Sequence, residues 1–342
     1  MHRRLLLGMT LAAGLCTGCI RETAPPAANT GGEPGAASAS AVETRSKDET
    51  LEIAVVPKGL THQFWQTIRA GAEEAGKDVN ARILWNGPKS ETEIQDQIDI
   101  LKNYASQGVD GIAVAATNAK ALARPVEELD AQKIPVVVID SGVESQVPRS
   151  FIATDNVEAA KLAAKEMGRL LGGKGKVAVL SFLKGAGTSD ERERGFLEGI
   201  KEFPGIEVLE PVETKSDSAR AADQMETLIT HHPDLAGVFA SNEPNVVGAA
   251  KVIQDKGLAG KVKLIGFDAS DPEIEYLQRG VVQAIVVQDP FKMGYEGVKA
   301  LAQILRGEGT PNPRIDTGAT VVTQENLDDP KVQKLLYPLG KK

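Results

Sequence analysis

From residue 51 onward, apolar runs alternate with amphipathic stretches in a rhythm that predicts repeated βαβ units. The runs at 51–56, 109–115, 135–140, 176–182, 236–240, 262–267 and 281–287 read as strands. Most are apolar at nearly every position instead of every second one, so both faces are expected to be covered by helices, as in parallel sheets. Between them, Trp65, Ile68, Ala72, Ala75 and Val79 recur at spacings of three and four, as do Ile94, Ile98, Leu101 and Ala105. Each stripe predicts a helix with one face against a core. The elements are too many for one small sheet, so the pattern predicts an α/β protein of two doubly wound parallel-sheet lobes.

The first 49 residues break this pattern. His2, Arg3 and Arg4 precede an apolar run at 5–15 that is short for a bilayer span, which reads as an export signal over 1–18. The run ends in Cys16-Thr17-Gly18-Cys19, which resembles the lipobox of bacterial lipoproteins, with Cys16 where that motif usually has Leu. Cleavage before Cys19 would leave this cysteine as a lipidated terminus and the folded lobes without any cysteine. Residues 19–49 are mostly Ala, Pro, Gly, Ser, Thr and Glu and read as a flexible tether. The expected location is the periplasm or the outer face of the cell membrane, with the membrane contacted through the N-terminal lipid.

Of 342 residues, 42% are apolar and 25% charged, and the formal net charge of −8 argues against nucleic acid as a partner. No nucleophile and base stand in a catalytic pattern. The histidines are His2, His62 and the His231-His232 pair, a helix-end position rather than a metal-ligand spacing. Gly172-Gly173-Lys174-Gly175 lacks the Ser or Thr of a phosphate loop and precedes a strand instead of following one. Neither catalysis, metal nor cofactor is expected.

In open α/β sheets ligands gather beyond the carboxyl ends of the strands, which directs attention to Asp140, Asn242, Asp268 and Gln288, each ending an apolar run. Arg194, within Arg192-Glu193-Arg194-Gly195, falls near the start of the helix after the strand ending at 182. Carboxylates accept from adjacent hydroxyls while Arg, Asn and Gln donate, the set a desolvated polyol needs. Phe64 and Trp65 add flat apolar faces for the C–H side of a sugar ring, although Trp65 also fits the core stripe. Taken singly, each strand-end residue also reads as a helix cap or turn former.

Together, Leu60-Thr61-His62-Gln63-Phe64-Trp65, Thr154-Asp155-Asn156, Ala186-Gly187-Thr188-Ser189 with Arg192-Glu193-Arg194-Gly195, Val238-Phe239-Ala240-Ser241-Asn242-Glu243 and Gly266-Phe267-Asp268 are similar to the periplasmic sugar-binding proteins of the ribose-binding type, whose core LacI-like repressors share. The resemblance runs from residue 51 to about 322. It implies a three-crossing hinge near Asp155, Gln288 and Gly318, an N-terminal lobe of 50–154 plus 289–317 and a C-terminal lobe of 155–288 plus 318–342. It also implies that the two aromatics sandwich a sugar and that Asp140, Arg194, Asn242, Asp268 and Gln288 bond its hydroxyls, with His62 in place of a ligand-contacting Asn.

Three positions depart from that pattern: Ala115 replaces an expected Asn, Ser141 an expected Arg, and Ser216 falls where an aromatic is expected. The lost bulk predicts room for a ligand larger than a pentose, with Ser141 as a possible contact. Lys58 reads first as an exposed lysine and alternatively as a contact to such a ligand. The resemblance implies a monomeric clamp that closes on a monosaccharide or related polyol and delivers it to an ABC-type permease. Signalling to a membrane receptor kinase, or reception of a quorum signal, is the alternative output. A carbohydrate-active enzyme is the weaker rival, and a repressor is disfavoured because an export signal stands where a DNA-binding module would.

Overall fold

The computed structural model describes residues 42–338 and residue 340. The signal, Cys19 and the tether to residue 41 lie outside the described residues.

The chain forms two α/β lobes. The first begins with β1 (Leu51–Val56), α1 (Gln63–Asp78), β2 (Ala81–Trp85), α2 (Ile94–Gln107), β3 (Gly111–Val114), α3 (Ala123–Ala131), β4 (Val136–Ile139) and β5 (Phe151–Ala153). The second follows with α4 (Asn156–Leu170), β6 (Lys174–Ser181), α5 (Gly187–Gly199), β7 (Gly205–Val208), β8 (Val212–Glu213) and α6 (Ser218–His231). It continues through β9 (Leu235–Ala240), α7 (Glu243–Asp255), β10 (Lys263–Phe267), α8 (Asp271–Gln278) and β11 (Ala284–Gln288). Then α9 (Pro290–Leu305) returns to pack on α1, β12 (Arg314–Asp316) joins β5, β13 (Ala319–Val322) joins β11, and α10 (Pro330–Leu336) follows. The strand orders are β12-β5-β4-β3-β1-β2 and β13-β11-β10-β9-β6-β7, with β8 also beside β6.

The continuous apolar strands have the two-sided burial their composition requires. In β1, Leu51, Ile53 and Val55 enter the core with Trp65 of α1 and Leu301 of α9, while Ala54 and Val56 enter the opposite core with Leu101 of α2. The second sheet repeats the arrangement, Ala178 and Leu180 of β6 facing one core and Val177 and Val179 the other. Helix pairs close over these sheets by glycine contact. A Cβ at Gly71 would lie 2.0 Å from the Phe291 carbonyl oxygen, and one at Gly294 would lie 2.0 Å from that of Ile68.

The chain passes between sheets three times: after β5, after β11, and between β12 and β13. The first and third passages are tied together, because Thr317 N donates to Ala153 O at 3.2 Å and Arg314 Nη2 to Thr154 O at 3.2 Å. The sheets are parallel as expected except at one edge, where β13 pairs antiparallel with β11. The reason is directional. A chain leaving the first sheet at its carboxyl end through Thr317-Gly318 enters the second from its carboxyl end and must run against it.

Residues 42–49, read as the end of the tether, lie on the first lobe. Arg45 N donates to Leu305 O at 2.7 Å, its guanidinium pairs with Asp110 at 2.9 Å, and Val42 packs on the core. Among the described residues no helix is long and apolar enough to cross a membrane.

Candidate functional site

The carboxyl ends of both sheets face one cleft that leaves a small cavity of about 20 Å³. From the first lobe Lys58 after β1, His62, Phe64 and Trp65 at the start of α1, Glu91 before α2 and Asp140 after β4 line it. The second lobe supplies Phe182 after β6, Arg192 of α5, Asn242 after β9, Glu243 and Pro244 at the start of α7, and Asp268 after β10. Asp140 and Asp268 sit at positive φ (54° and 88°), so the chain turns sharply as each strand ends and the carboxyl remains at the sheet's edge. Among the described residues no group of three or more His, Cys, Asp and Glu is placed to hold a metal ion.

Most charged groups here have a charged neighbour. Lys58 Nζ lies 3.2 Å from Asp140 Oδ2 and donates to Thr188 Oγ1 across the cleft at 2.9 Å. Its ammonium also sits 5.5 Å from the Trp65 ring centroid and 5.4 Å from that of Phe182. Trp65 Nε1 donates to Glu91 Oε1 at 3.1 Å, and His62 Nδ1 lies 3.6 Å from the same oxygen. In the second lobe Gln288 Nε2 donates to Asp268 Oδ1 at 2.6 Å and Glu243 N to Asp268 Oδ2 at 3.1 Å. Arg192 donates through Nε to Asn156 Oδ1 and through Nη1 to Ser241 O, both at 2.8 Å, with its guanidinium 3.8 Å from the Phe267 ring centroid.

Further bonds join the lobes. Glu243 accepts from Gln63 N at 3.2 Å and Phe64 N at 3.1 Å, so a second-lobe carboxyl satisfies free N–H groups at the start of first-lobe α1. Gln63 and Asp271 exchange two more bonds at 3.1 and 3.0 Å.

Burial acts on each acid, and the neighbours decide the outcome. Burial pushes Glu91 up, but the Lys58 charge and the His62 hydrogen bond outweigh it and hold the carboxyl at about 2. Burial opposes a charge on His62, yet Glu91 raises its pKa overall. For Asp140 and Glu243 burial prevails and both are raised. Glu273 of α8, fully buried with Oε2 accepting from Ser270 N at 2.6 Å, is raised well above its ordinary value by burial and by the charges of Glu243 and Asp268.

That raised value makes a stability prediction. Below the ordinary carboxyl range Glu273 is protonated folded and unfolded. As pH rises toward its folded pKa the unfolded chain releases a proton that the folded chain keeps, so the stability this group contributes is lost. Glu273→Gln, an uncharged isostere, is therefore expected to raise the melting temperature more at pH 8 than at pH 4. Thermal melts of the unliganded chain check this, and an unchanged pH slope would contradict it.

The structure brings His62, Phe64, Trp65, Asp140, Asn242 and Asp268 to the cavity lining. Gln288 stands behind, holding Asp268. Ser141 is buried beside the site, its hydroxyl without a hydrogen-bond partner. Two readings are corrected. Arg194 is on the exposed side of α5, 59% accessible and 4.0 Å from Glu198; Arg192, two residues earlier and so on the opposite side of the helix, enters the cleft. Lys58 is not an exposed lysine, being 3% accessible.

The extra room is not found either. Lys58, Glu91 and Phe182 occupy the region, and the cavity left, about 20 Å³, has room for about one water molecule, far below the roughly 300–1,000 Å³ usual for ligand pockets. A hollow of about 670 Å³ is lined by Asp78, Lys299 and Arg306 of the first lobe and by none of the strand-end residues.

A family model described as a periplasmic binding protein domain matches residues 53–309. The chain belongs to that family. It is 28% identical over 262 residues to the ribose import binding protein of Bacillus subtilis, covering 77% of this chain and 83% of that protein. It is 27% identical over 276 residues to the D-ribose/D-allose-binding protein of Pseudomonas aeruginosa, covering 78% and 86%. Among solved structures, a carbohydrate transporter solute-binding protein of Agrobacterium radiobacter in complex with D-arabinose superposes with TM-score 0.81 at 35% identity, over 84% of this chain and 99% of that one. An ABC transporter solute-binding protein of Agrobacterium vitis with bound D-fucose does so with TM-score 0.81 at 36% identity, over 84% and 100%.

Proposed function

We propose that this periplasmic binding protein is the extracytoplasmic receptor of an ABC-type transporter, anchored through Cys19, which captures a monosaccharide or related polyol between its lobes and delivers it to the permease. The observation that carries this reading is the cavity itself: buried Asp140, Asp268, Asn242 and Arg192 converge at the strand ends beside the apolar faces of Phe64, Trp65 and Phe182. Such a site offers hydroxyls both acceptors and donors, and offers a ring flat apolar walls. The sugars held by the relatives support the same class.

Closure is the working motion. The bonds from Lys58 to Thr188, from Phe64 to Glu243 and between Gln63 and Asp271 join the two lobes and would part if the lobes swung open on the three passages. A ligand that bridges the two sets of side chains favours the joined form, which a permease can tell from the open one.

The test is a thermal-shift screen of the mature chain against pentoses, hexoses, inositols, sugar acids and amino acids. A ligand at 100 times its Kd is expected to raise the melting temperature by about 4 °C. Asp268→Asn, which tolerates the positive φ, should abolish the shift. A response to amino acids alone would discard the sugar class and keep the fold.

A further inference from the structure

Glu91 is a charged side chain of the cavity that neither the strand-end rule nor the family resemblance points to. It is 5% accessible, it lines the cavity, and its two oxygens differ: Oε1 is held by Trp65 Nε1, whereas Oε2 has no hydrogen bond of good geometry, although the Ser216 hydroxyl of the other lobe is close enough to favour the ionised carboxyl. Asp140 Oδ2 differs, since the Lys58 ammonium lies 3.2 Å from it. A buried acceptor such as Glu91 Oε2 is costly until a donor reaches it. On the first-lobe side the acid left wanting a donor is Glu91, and the Ser141 hydroxyl is also unpartnered.

The positive charges are already matched. Lys58 lies 3.2 Å from Asp140, His62 3.6 Å from Glu91 and Arg192 3.9 Å from Asp268, and Glu243 is a fourth acid on the same lining. A ligand carboxylate would meet four acids against three bases.

Resting on the sugar-binding reading, we propose that the cleft selects neutral sugars against their acidic counterparts, and that Glu91 sets this selection by accepting a ligand hydroxyl through Oε2. A hydroxyl supplies the proton that this oxygen lacks. A carboxylate in its place brings a like charge into a site without bulk water, where repulsion is weakly screened.

The test is isothermal titration of the full chain with matched pairs: D-galactose and D-galacturonate, D-glucose and D-glucuronate, D-arabinose and D-arabinonate. The neutral member of a binding pair is expected to exceed the acid by at least ~100-fold in affinity. Glu91→Gln should weaken the neutral sugar about tenfold and narrow the ratio between the two. Glu91→Asp, which keeps the charge but not the reach, should weaken the neutral sugar and preserve the ratio. Melts of both unliganded variants establish that they fold. An acid that binds as tightly as its neutral partner, or a ratio that Glu91→Gln leaves unchanged, overturns the inference while leaving the sugar receptor standing. If none of these sugars binds, the pair is built on the sugar or polyol found by thermal shift, and only a screen in which no sugar or polyol binds makes the receptor reading fail and this inference with it.

Discussion

Replacing Arg192 by Met is expected to weaken binding of the ligand found by thermal shift at least ~100-fold, whereas Arg194→Ala should leave it within about twofold. Arg192 is buried, and it donates hydrogen bonds to two parts of the cleft: the Asn156 side chain at the first passage and the carbonyl of Ser241, next to Asn242. Met keeps the apolar stem and removes the donors. Truncating one partner of a buried charged hydrogen bond costs about 2–5 kcal/mol, and each 1.4 kcal/mol is tenfold in affinity. Arg194, exposed and distant from Glu198 by 4.0 Å, has little to lose. Calorimetry on the two variants checks both statements. Loss of binding on Arg194→Ala instead would mean that α5 is turned the other way in solution.

The second large effect concerns the scaffold that aims α1 at the cleft. Gly71→Ala places a methyl 2.0 Å from the carbonyl oxygen of Phe291, a contact that only a shift of α1 away from α9 can relieve. Overpacking of this kind costs about 1–3 kcal/mol, more than the ~1 kcal/mol that Ala contributes over Gly within a helix. Denaturant melts should show the loss. Sugar affinity should fall too, because α1 carries Phe64 and Trp65. Gly294→Ala should act similarly, and the double variant should cost less than the two together, since one separation of the helices accommodates both methyls.

Much of the fold was legible because it is written in local periods. The apolar runs end where the strands end, so Asp140, Asn242 and Asp268 could be placed at the rim of their sheets, and the α1 stripe revealed which face of that helix is buried. The strands not legible in the apolar runs are short or lie at sheet edges: β2, β5, β7, β8, β12 and β13. Half-exposed edges carry fewer apolar residues, and three-residue β5 and β12 offer no period to read. Arg192 was within reach, for it stands four residues before Phe196 on the buried stripe of α5, and the helical phase favours it over Arg194.

By itself, then, the sequence determined two α/β lobes, the strand-end polar residues and the aromatic pair at the start of α1, because each follows from the spacing of nearby side chains. Only the tertiary structure decided that Lys58 is buried, that Glu91 belongs to the site, and that Glu243 caps a helix of the other lobe. Lys58 and Thr188 are 130 positions apart, and Phe64 and Glu243 are 179 apart. Whether a charge can be buried depends on which opposite charges and donors surround it, and those come from elements whose approach no local period encodes.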